Sequence, residues 1–203
     1  MKSLRVRSLH TLTFAVSVIA ICCATAEAHP HHHGHEHGNG LVDGLLHPLF
    51  GMDHLLAMIA VGLLSAQIGG RALWAIPCAF VGSMILGGVL GLTGMPLPGV
   101  EYGIALSILL LGLALAVNRK QPLAVPLTAA AIFGFFHGHA HGTEIPTLAT
   151  PVIYAGGFVA TTIALHVTGV LIGRMAISSI WGQRALRTSG AAITLAGMYF
   201  LIL

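Results

Sequence analysis

The stretch ALWAIPCAFVGSMILGGVLGL, residues 72–92, has no charged side chain and is long enough for an α-helix to cross a lipid bilayer, which takes about 20 apolar residues. Five further apolar stretches resemble it in length and composition. They run over residues 45–68, 100–117, 122–142, 150–175 and 186–203. The sequence therefore predicts an all-α fold, a polytopic membrane bundle of six transmembrane helices.

The overall composition agrees with a protein that lies mostly within lipid. Of the 203 residues, 56% are hydrophobic and 7% are charged, whereas roughly a quarter are charged in soluble globular domains. The formal net charge is +3, but three of the nine basic residues, Lys2, Arg5 and Arg7, lie at the extreme N-terminus. We therefore expect the lipid bilayer as a partner and no nucleic acid.

The N-terminus has the pattern of a cleaved signal peptide, residues 1–28. Basic residues, an apolar run over residues 12–23 and small residues at 24–28 follow one another in the order typical of secretory leaders. Cleavage after Ala26 and cleavage after Ala28 both fit this pattern. The alternative interpretation is a first helix that is not removed.

A histidine-rich segment, HPHHHGHEHGNG, follows at residues 29–40. It has almost no apolar side chains and cannot form a packed core, so we predict an external tail. Imidazole is a common ligand for transition metals, and this density of histidines suits loose capture of divalent ions. The metal-binding candidates are His29, His31, His32, His33, His35 and His37. The alternative is a polar spacer that merely tolerates histidine.

Basic residues in the short connections predict the orientation of the helices. Every basic residue after the leader lies in alternate connections, and the intervening connections have none. They are Arg71, Arg119, Lys120, Arg174, Arg184 and Arg187. We predict that residues 41–203 form a transmembrane domain in the bacterial inner membrane. Because short cytoplasmic loops are rich in Lys and Arg, the connections with basic residues should be cytoplasmic and both mature termini should lie in the periplasm.

Small residues recur at a spacing of four in two of the predicted helices. They are Ser83, Gly87 and Gly91 in the second helix and Gly134, Gly138 and Gly142 in the fourth. Such ridges let membrane helices approach closely, so we interpret them as packing residues rather than chemical ones.

Ionisable residues first interrupt the apolar pattern in HPLFGMDHLLAM, residues 47–58. Such groups at membrane depth usually face the interior of a bundle and mark a pathway. His47 and His54 are seven residues apart, and on one continuous helix they share a face. Pro48 suits the first position of that helix, which predicts His47 at the entrance with Asp53 and His54 further inside.

A second polar cluster, FGFFHGHAHGTE, closes the fourth predicted helix at residues 133–144. Helical spacing places His137, His141 and Glu144 on one stripe, while His139 points elsewhere. Because the first helix enters from outside and the fourth ends there, we expect both clusters in the external half of the membrane.

The donor atoms of the two clusters are nitrogen and carboxylate oxygen. This set disfavours Cu(I) and suits Ni(II), Co(II) or Zn(II), whereas Mg(II) and Ca(II) prefer oxygen alone. His166, nearer the middle of the fifth helix, is placed to pass an ion inward, although a hydrogen-bonded packing role is the alternative. Met58, Thr161 and Thr162 are weaker candidates.

The two motifs resemble a known family. The pattern H-x5-D-H at 47–54, together with FHGHAHGTE at 136–144, is similar to the HupE/UreJ family of nickel permeases and urease or hydrogenase accessory proteins. The resemblance extends over nearly the whole chain. It implies inward transport of nickel to supply hydrogenase or urease. It also implies that the metal is handled by His47, Asp53, His54, His137, His141 and Glu144. Glu101 is a further candidate because of its location at the outer start of the third helix, and His139 is a candidate as a neighbouring imidazole.

The resemblance leaves other functions open. A Co²⁺ or Zn²⁺ permease has the same requirements, and a membrane metalloenzyme or a metal sensor also uses paired histidines. No phosphate-binding loop is present, so we expect a secondary transporter rather than an ATP-driven one. We expect no enzyme, because the sequence has no sizeable extramembrane domain and both clusters open outward. We expect no resident cofactor, because the metal is the transported substrate. The sequence is compatible with a homo-oligomer.

Overall fold

The computed structural model describes residues 40–145 and 149–203, and the predictions for the signal peptide and the histidine tail lie outside these residues. The described residues form seven helices and no strand. The helices are α1 Gly40–Phe50, α2 Met52–Ile68, α3 Ala72–Leu92, α4 Val100–Val117, α5 Ala124–Thr143, α6 Pro151–Ala176 and α7 Ile180–Ile202. The prediction of an all-helical chain is thus confirmed for this part of the protein.

The first predicted helix is two helices. The chain bends by 76° between α1 and α2, and Gly51 at the break has an extended backbone. A Cβ atom on Gly51 would lie 3.2 Å from both Asp53 Oδ1 and His54 Nδ1, so the fold-back leaves little room for a side chain there. Pro48 lies inside α1 near its end, so its prediction as a helix start was wrong.

The remaining helices lie close to their predicted positions, with one exception. Helix α7 begins at Ile180 rather than at residue 186, because Ser179 caps it. The Ser179 side chain accepts a hydrogen bond from Gly182 N at 3.0 Å, which satisfies one of the free amides of the first turn. Arg184 and Arg187 therefore lie on the first turns of α7 and not in a loop, which corrects their predicted placement.

Fewer than six membrane spans are evident in the described residues. Helices α3, α4, α6 and α7 are long and apolar enough to cross a membrane, and the bent pair of α1 and α2 gives a fifth candidate span. Helix α5 does not meet this criterion. Its second half carries three histidines and three glycines, which lower its mean hydropathy below that of its neighbours. The structure thus supports four to five spans of the predicted six.

Helices α3 and α5 pack against each other through the predicted glycine ridges. They run parallel, and each glycine of α5 faces a backbone carbonyl of α3 where a side chain would collide. The facing pairs are Gly134 with Phe80, Gly138 with Met84 and Gly142 with Gly88. The small residues at spacing four are therefore confirmed as packing residues, and they bring the backbones of the two helices into close contact.

The two ends of the bundle differ in charge. At one end, Arg187 Nε donates to Ala116 O at 3.0 Å, and Gln67 Nε2 donates to Leu115 O at 3.1 Å, so the ends of α2 and α4 meet the start of α7. The basic residues of the described chain lie at this end. The opposite end holds the break between α1 and α2, the start of α4 and the end of α5.

Candidate metal site

Three imidazoles from three different helices converge at the end of the bundle opposite the basic residues. His47 of α1, His54 of α2 and His141 of α5 each offer a ring nitrogen, and these atoms all lie within 4.8 Å of one another. The centroids of the His54 and His141 rings are 4.5 Å apart. Two nitrogens on one ion at about 2.1 Å lie at most about 4.2 Å apart, so the cluster is slightly wider than a closed site.

The orientation of His54 is fixed by its neighbour Asp53. Nδ1 of His54 lies 2.8 Å from Asp53 Oδ1, and the backbone amide of His54 donates to the same oxygen at 2.8 Å. With the proton on Nδ1, the lone pair of Nε2 points away from the carboxylate. Nε2 has no hydrogen-bond partner among the described residues. This is the arrangement in which a carboxylate prepares an imidazole to bind a metal.

His141 is the most enclosed member of the cluster. Its side chain is fully buried, and its ring stacks on Phe158 with centroids 4.5 Å apart. Neither ring nitrogen has a hydrogen-bond partner in residues 40–145 or 149–203. Buried polar atoms in folded proteins are nearly always paired, so two unpaired ring nitrogens are unusual and are available to bind a metal ion.

The outer edge of the cluster is partly open and carries carboxylates. His47 Nε2 lies 3.3 Å from Glu144 Oε2, and the two side chains are 31% and 44% exposed. Partial burial alone would raise the pKa of Glu144, but the hydrogen bond to His47 and the attraction of the His47 and His54 imidazoles together hold the pKa below its ordinary value. Glu101, on the exposed first turn of α4, interacts electrostatically with His54. The negative charge favours a cation at this edge.

His137 lies one helical turn deeper than His141 on α5. Its ring centroid is 4.9 Å from that of His54, and its Nε2 is 2.9 Å from Ser107 Oγ. Because the Ser107 hydroxyl already donates to Ile104 O at 2.6 Å, the imidazole must donate to the serine. The lone pair of His137 therefore lies on Nδ1, which has no partner among the described residues.

Comparison with known proteins shows the family to which the chain belongs. The family model described as HupE / UreJ protein matches residues 17–200. The chain belongs to the HupE/UreJ family. Protein HupE of Rhizobium leguminosarum bv. viciae is 43% identical to it over 164 residues, which cover 81% of this chain and 85% of that protein. The comparison with solved structures found no match. Together with its apolar helices, this membership identifies a multi-pass membrane protein.

Two of the predicted site histidines lie apart from the cluster of this HupE/UreJ protein. His139 faces the connection between α3 and α4, and its Nε2 donates to Met95 O at 2.8 Å. This hydrogen bond holds the connection between α3 and α4. It agrees with the prediction that His139 points away from the stripe of His137, His141 and Glu144. His166 lies deeper in the bundle on α6 and is 2% exposed. The structure therefore brings together His47, Asp53, His54, His137, His141 and Glu144.

Four residues around the cluster were not predicted from the sequence. Phe158 supports His141, and Tyr154 has its ring centroid 6.2 Å from that of His47. Phe80 contacts His137 at 5.4 Å, and Ser107 binds the same imidazole. A lone hydroxyl in an apolar helix is a weak signal that singles out Ser107. The aromatic residues carry no such signal, because most phenylalanines of a membrane protein pack against helices or lipid.

Proposed function

We propose that this HupE/UreJ protein is a secondary transporter that carries a divalent transition-metal cation, most readily Ni²⁺, into the bacterial cell for hydrogenase or urease. The observation that carries the proposal is the group of three convergent imidazoles flanked by Asp53 and Glu144. The donors are nitrogen and carboxylate oxygen, which suit Ni(II) and Co(II).

The width of the cluster favours transport over permanent binding. An ion that is moved must enter a site readily and leave it readily, and a rigid cage with ideal distances holds it too firmly. Here the nitrogens are spread over up to 4.8 Å, and His47 is 31% exposed. The outermost imidazole is thus the least enclosed of the three, which suits exchange.

The proposed orientation places the cluster at the periplasmic face of the inner membrane. The basic residues of the described chain gather at the opposite end, as cytoplasmic ends do. Both mature termini then lie in the periplasm, and the tail at residues 29–40 gathers metal near the entrance. The membrane potential drives a dication inward by about 4.6 kcal/mol at 100 mV, which corresponds to more than a thousandfold accumulation.

The same donor set suits nickel and cobalt, since both ions accept imidazole and carboxylate ligands. A metalloenzyme and a sensor use the same donors but predict binding without flux. The experiment is uptake of radioactive nickel into proteoliposomes with an imposed potential, negative inside, compared with cobalt and zinc as competitors.

The variant for this experiment is His54→Ala, because it removes one of the three converging imidazoles. We expect potential-dependent nickel uptake by the unaltered protein and a loss of at least tenfold in the variant. Metal binding without uptake by the unaltered protein would contradict transport and favour a sensor. Turnover of an organic substrate with tightly retained metal would favour an enzyme.

A further inference from the structure

One face of α6 carries four buried residues at a spacing of four, and it connects the outer cluster with the interior. Tyr154 has its ring near His47, and Phe158 stacks on His141. Thr162 and His166 continue the same face by two more turns, and both are buried. At about 1.5 Å per residue, His166 lies about 12 Å deeper along the helix than Phe158.

Helix α3 runs antiparallel along this face. A Cβ atom on Gly88 would lie 3.9 Å from the Phe158 ring, and Thr162 Oγ1 lies 3.9 Å from Met84 Sδ. One turn further, the Phe80 ring centroid is 5.2 Å from that of His166. Contacts between the two helices therefore extend from the outer cluster to His166.

No hydrogen bond from the described residues holds the imidazole of His166. Both of its ring nitrogens lack a hydrogen-bond partner in the described part of the chain, and the side chain is 2% exposed. Burial of an imidazole without a partner costs free energy, and packing histidines avoid that cost by binding a backbone carbonyl or a hydroxyl. His139, with its bond to Met95 O, is such a packing histidine in the same protein.

Other metal-binding atoms lie one turn from His166. Thr162 contributes a hydroxyl whose oxygen keeps its lone pairs, because the hydroxyl hydrogen points to Met84 Sδ. Met84 contributes the thioether sulfur itself, and its side chain is fully buried. Nitrogen, oxygen and a soft sulfur together suit a late divalent transition metal better than Mg²⁺ or Ca²⁺.

Phe80 stands between this group and the outer cluster. Its ring centroid lies 5.2 Å from that of His166 and 5.4 Å from that of His137, so the same ring contacts both imidazoles. His137 presents its unpartnered Nδ1, and His166 presents two unpartnered nitrogens. An ion that passes from one imidazole to the other therefore passes the Phe80 ring.

We propose that His166, with Thr162 and Met84, is a second and inner binding position for the transported divalent metal, separated from the outer cluster by Phe80. The proposal rests on the proposed function. Two positions in series let the ion leave the outer cluster without passing through bare hydrocarbon, where a dication has no compensating ligand. The outer cluster selects and loads the ion, and the inner position receives it.

The test compares three variants of the full-length protein. His166→Leu fills the space and removes both nitrogens. His166→Met replaces the imidazole with a thioether donor, and Leu165→Ala alters the neighbouring buried residue without touching a donor. Radioactive nickel bound at equilibrium is measured in detergent, and uptake is measured in proteoliposomes. The thermal unfolding midpoint shows whether each variant is folded.

We expect His166→Leu to bind one nickel equivalent fewer than the unaltered protein. Its maximal uptake rate should fall at least tenfold, while the nickel concentration for half-maximal uptake stays within about twofold. His166→Met should recover part of the rate, and Leu165→Ala should keep it within about twofold. If His166 had only a structural role, His166→Leu would lower the unfolding midpoint. The maximal rate would then not fall selectively while the nickel concentration for half-maximal uptake stayed constant.

The two proposals fail in different ways. An unchanged nickel stoichiometry in folded His166→Leu would overturn the inner position, whether or not the unaltered protein transports metal. Absence of uptake by the unaltered protein would overturn transport, and the comparison of bound nickel would still decide whether His166 binds metal.

Discussion

Two helix pairs present histidines to the same site by different means. Helices α1 and α2 meet at a 76° break, and the residues that reach the site lie on either side of Gly51. Helices α3 and α5 are continuous, and glycines hold them close together along their length. In the broken pair, the local backbone decides where the ligands point. In the continuous pair, the distance between two helices decides it, so the two pairs should respond to different substitutions.

The largest effect is expected from Gly138→Ala in the continuous pair. A Cβ atom on Gly138 would collide with the backbone carbonyl and Cα of Met84, and neither can move without separating the helices. Overpacking that forces a shift of the backbone typically costs about 1–3 kcal/mol and occasionally more. We therefore expect a strong fall in the unfolding midpoint and in the yield of folded protein.

The control for this substitution is Gly82→Ala on α3, where a Cβ atom would meet nothing within 4 Å. Alanine favours a helix over glycine by about 1 kcal/mol, so this variant should be as stable as the unaltered protein or more stable. Equal stability of Gly82→Ala and Gly138→Ala in detergent would show that the glycine ridge does not hold the pair together.

The continuous pair is also the part of the site that could be predicted from the sequence. Small residues at spacing four and histidines at i and i+4 are periodic signals, and both survive in the structure because α5 is regular from residue 124 to residue 143. The break at Gly51 was missed, because H-x5-D-H satisfies helical spacing equally well on one straight helix. Only the packing of α1 on α6 distinguishes the two arrangements, for example where Thr161 Oγ1 donates to Leu45 O.

The next largest effect is a difference in nickel uptake between substitutions of two histidines of α5. His141→Ala removes a converging imidazole, whereas His139→Ala removes an imidazole that binds Met95 O outside the cluster. We expect the nickel concentration for half-maximal uptake to rise about 100-fold in His141→Ala, which corresponds to about 2.7 kcal/mol, and less than threefold in His139→Ala. Similar rises in both variants would indicate that burial rather than convergence makes these histidines important.

A smaller effect is expected from Gly51→Ala in the broken pair. The backbone at Gly51, with φ of −74° and ψ of 103°, is open to alanine, so the substitution causes no backbone strain. Its Cβ atom would lie 3.2 Å from Asp53 Oδ1 and from His54 Nδ1, and the pair must shift by a few tenths of an ångström.

Because a misplacement of about 1 Å can cost about 100-fold in rate, the smaller shift in Gly51→Ala should lower uptake by roughly three- to tenfold. The unfolding midpoint should stay unchanged, in contrast to Gly138→Ala. Gly156→Ala on α6 is the control, since a Cβ atom there meets nothing within 4 Å. A large loss of stability in Gly51→Ala would mean that the break supports the fold as well as the site.

The smallest effect is expected from Ser107→Ala on α4, which touches the site only through His137. The substitution removes the oxygen that lies 2.9 Å from Nε2 and fixes the ring proton there. Without this oxygen, the ring proton of His137 is no longer held on Nε2, and Nδ1 is not always free to bind metal. The maximal uptake rate should therefore fall by roughly two- to fivefold. Ser65→Ala is the matched control, because Ser65 is equally buried but donates only to Val61 O of its own helix, at 2.6 Å. If both serine variants transported at the full rate, the orientation of His137 would not limit the passage of the metal. The continuous pair would then affect transport only through the position of His141.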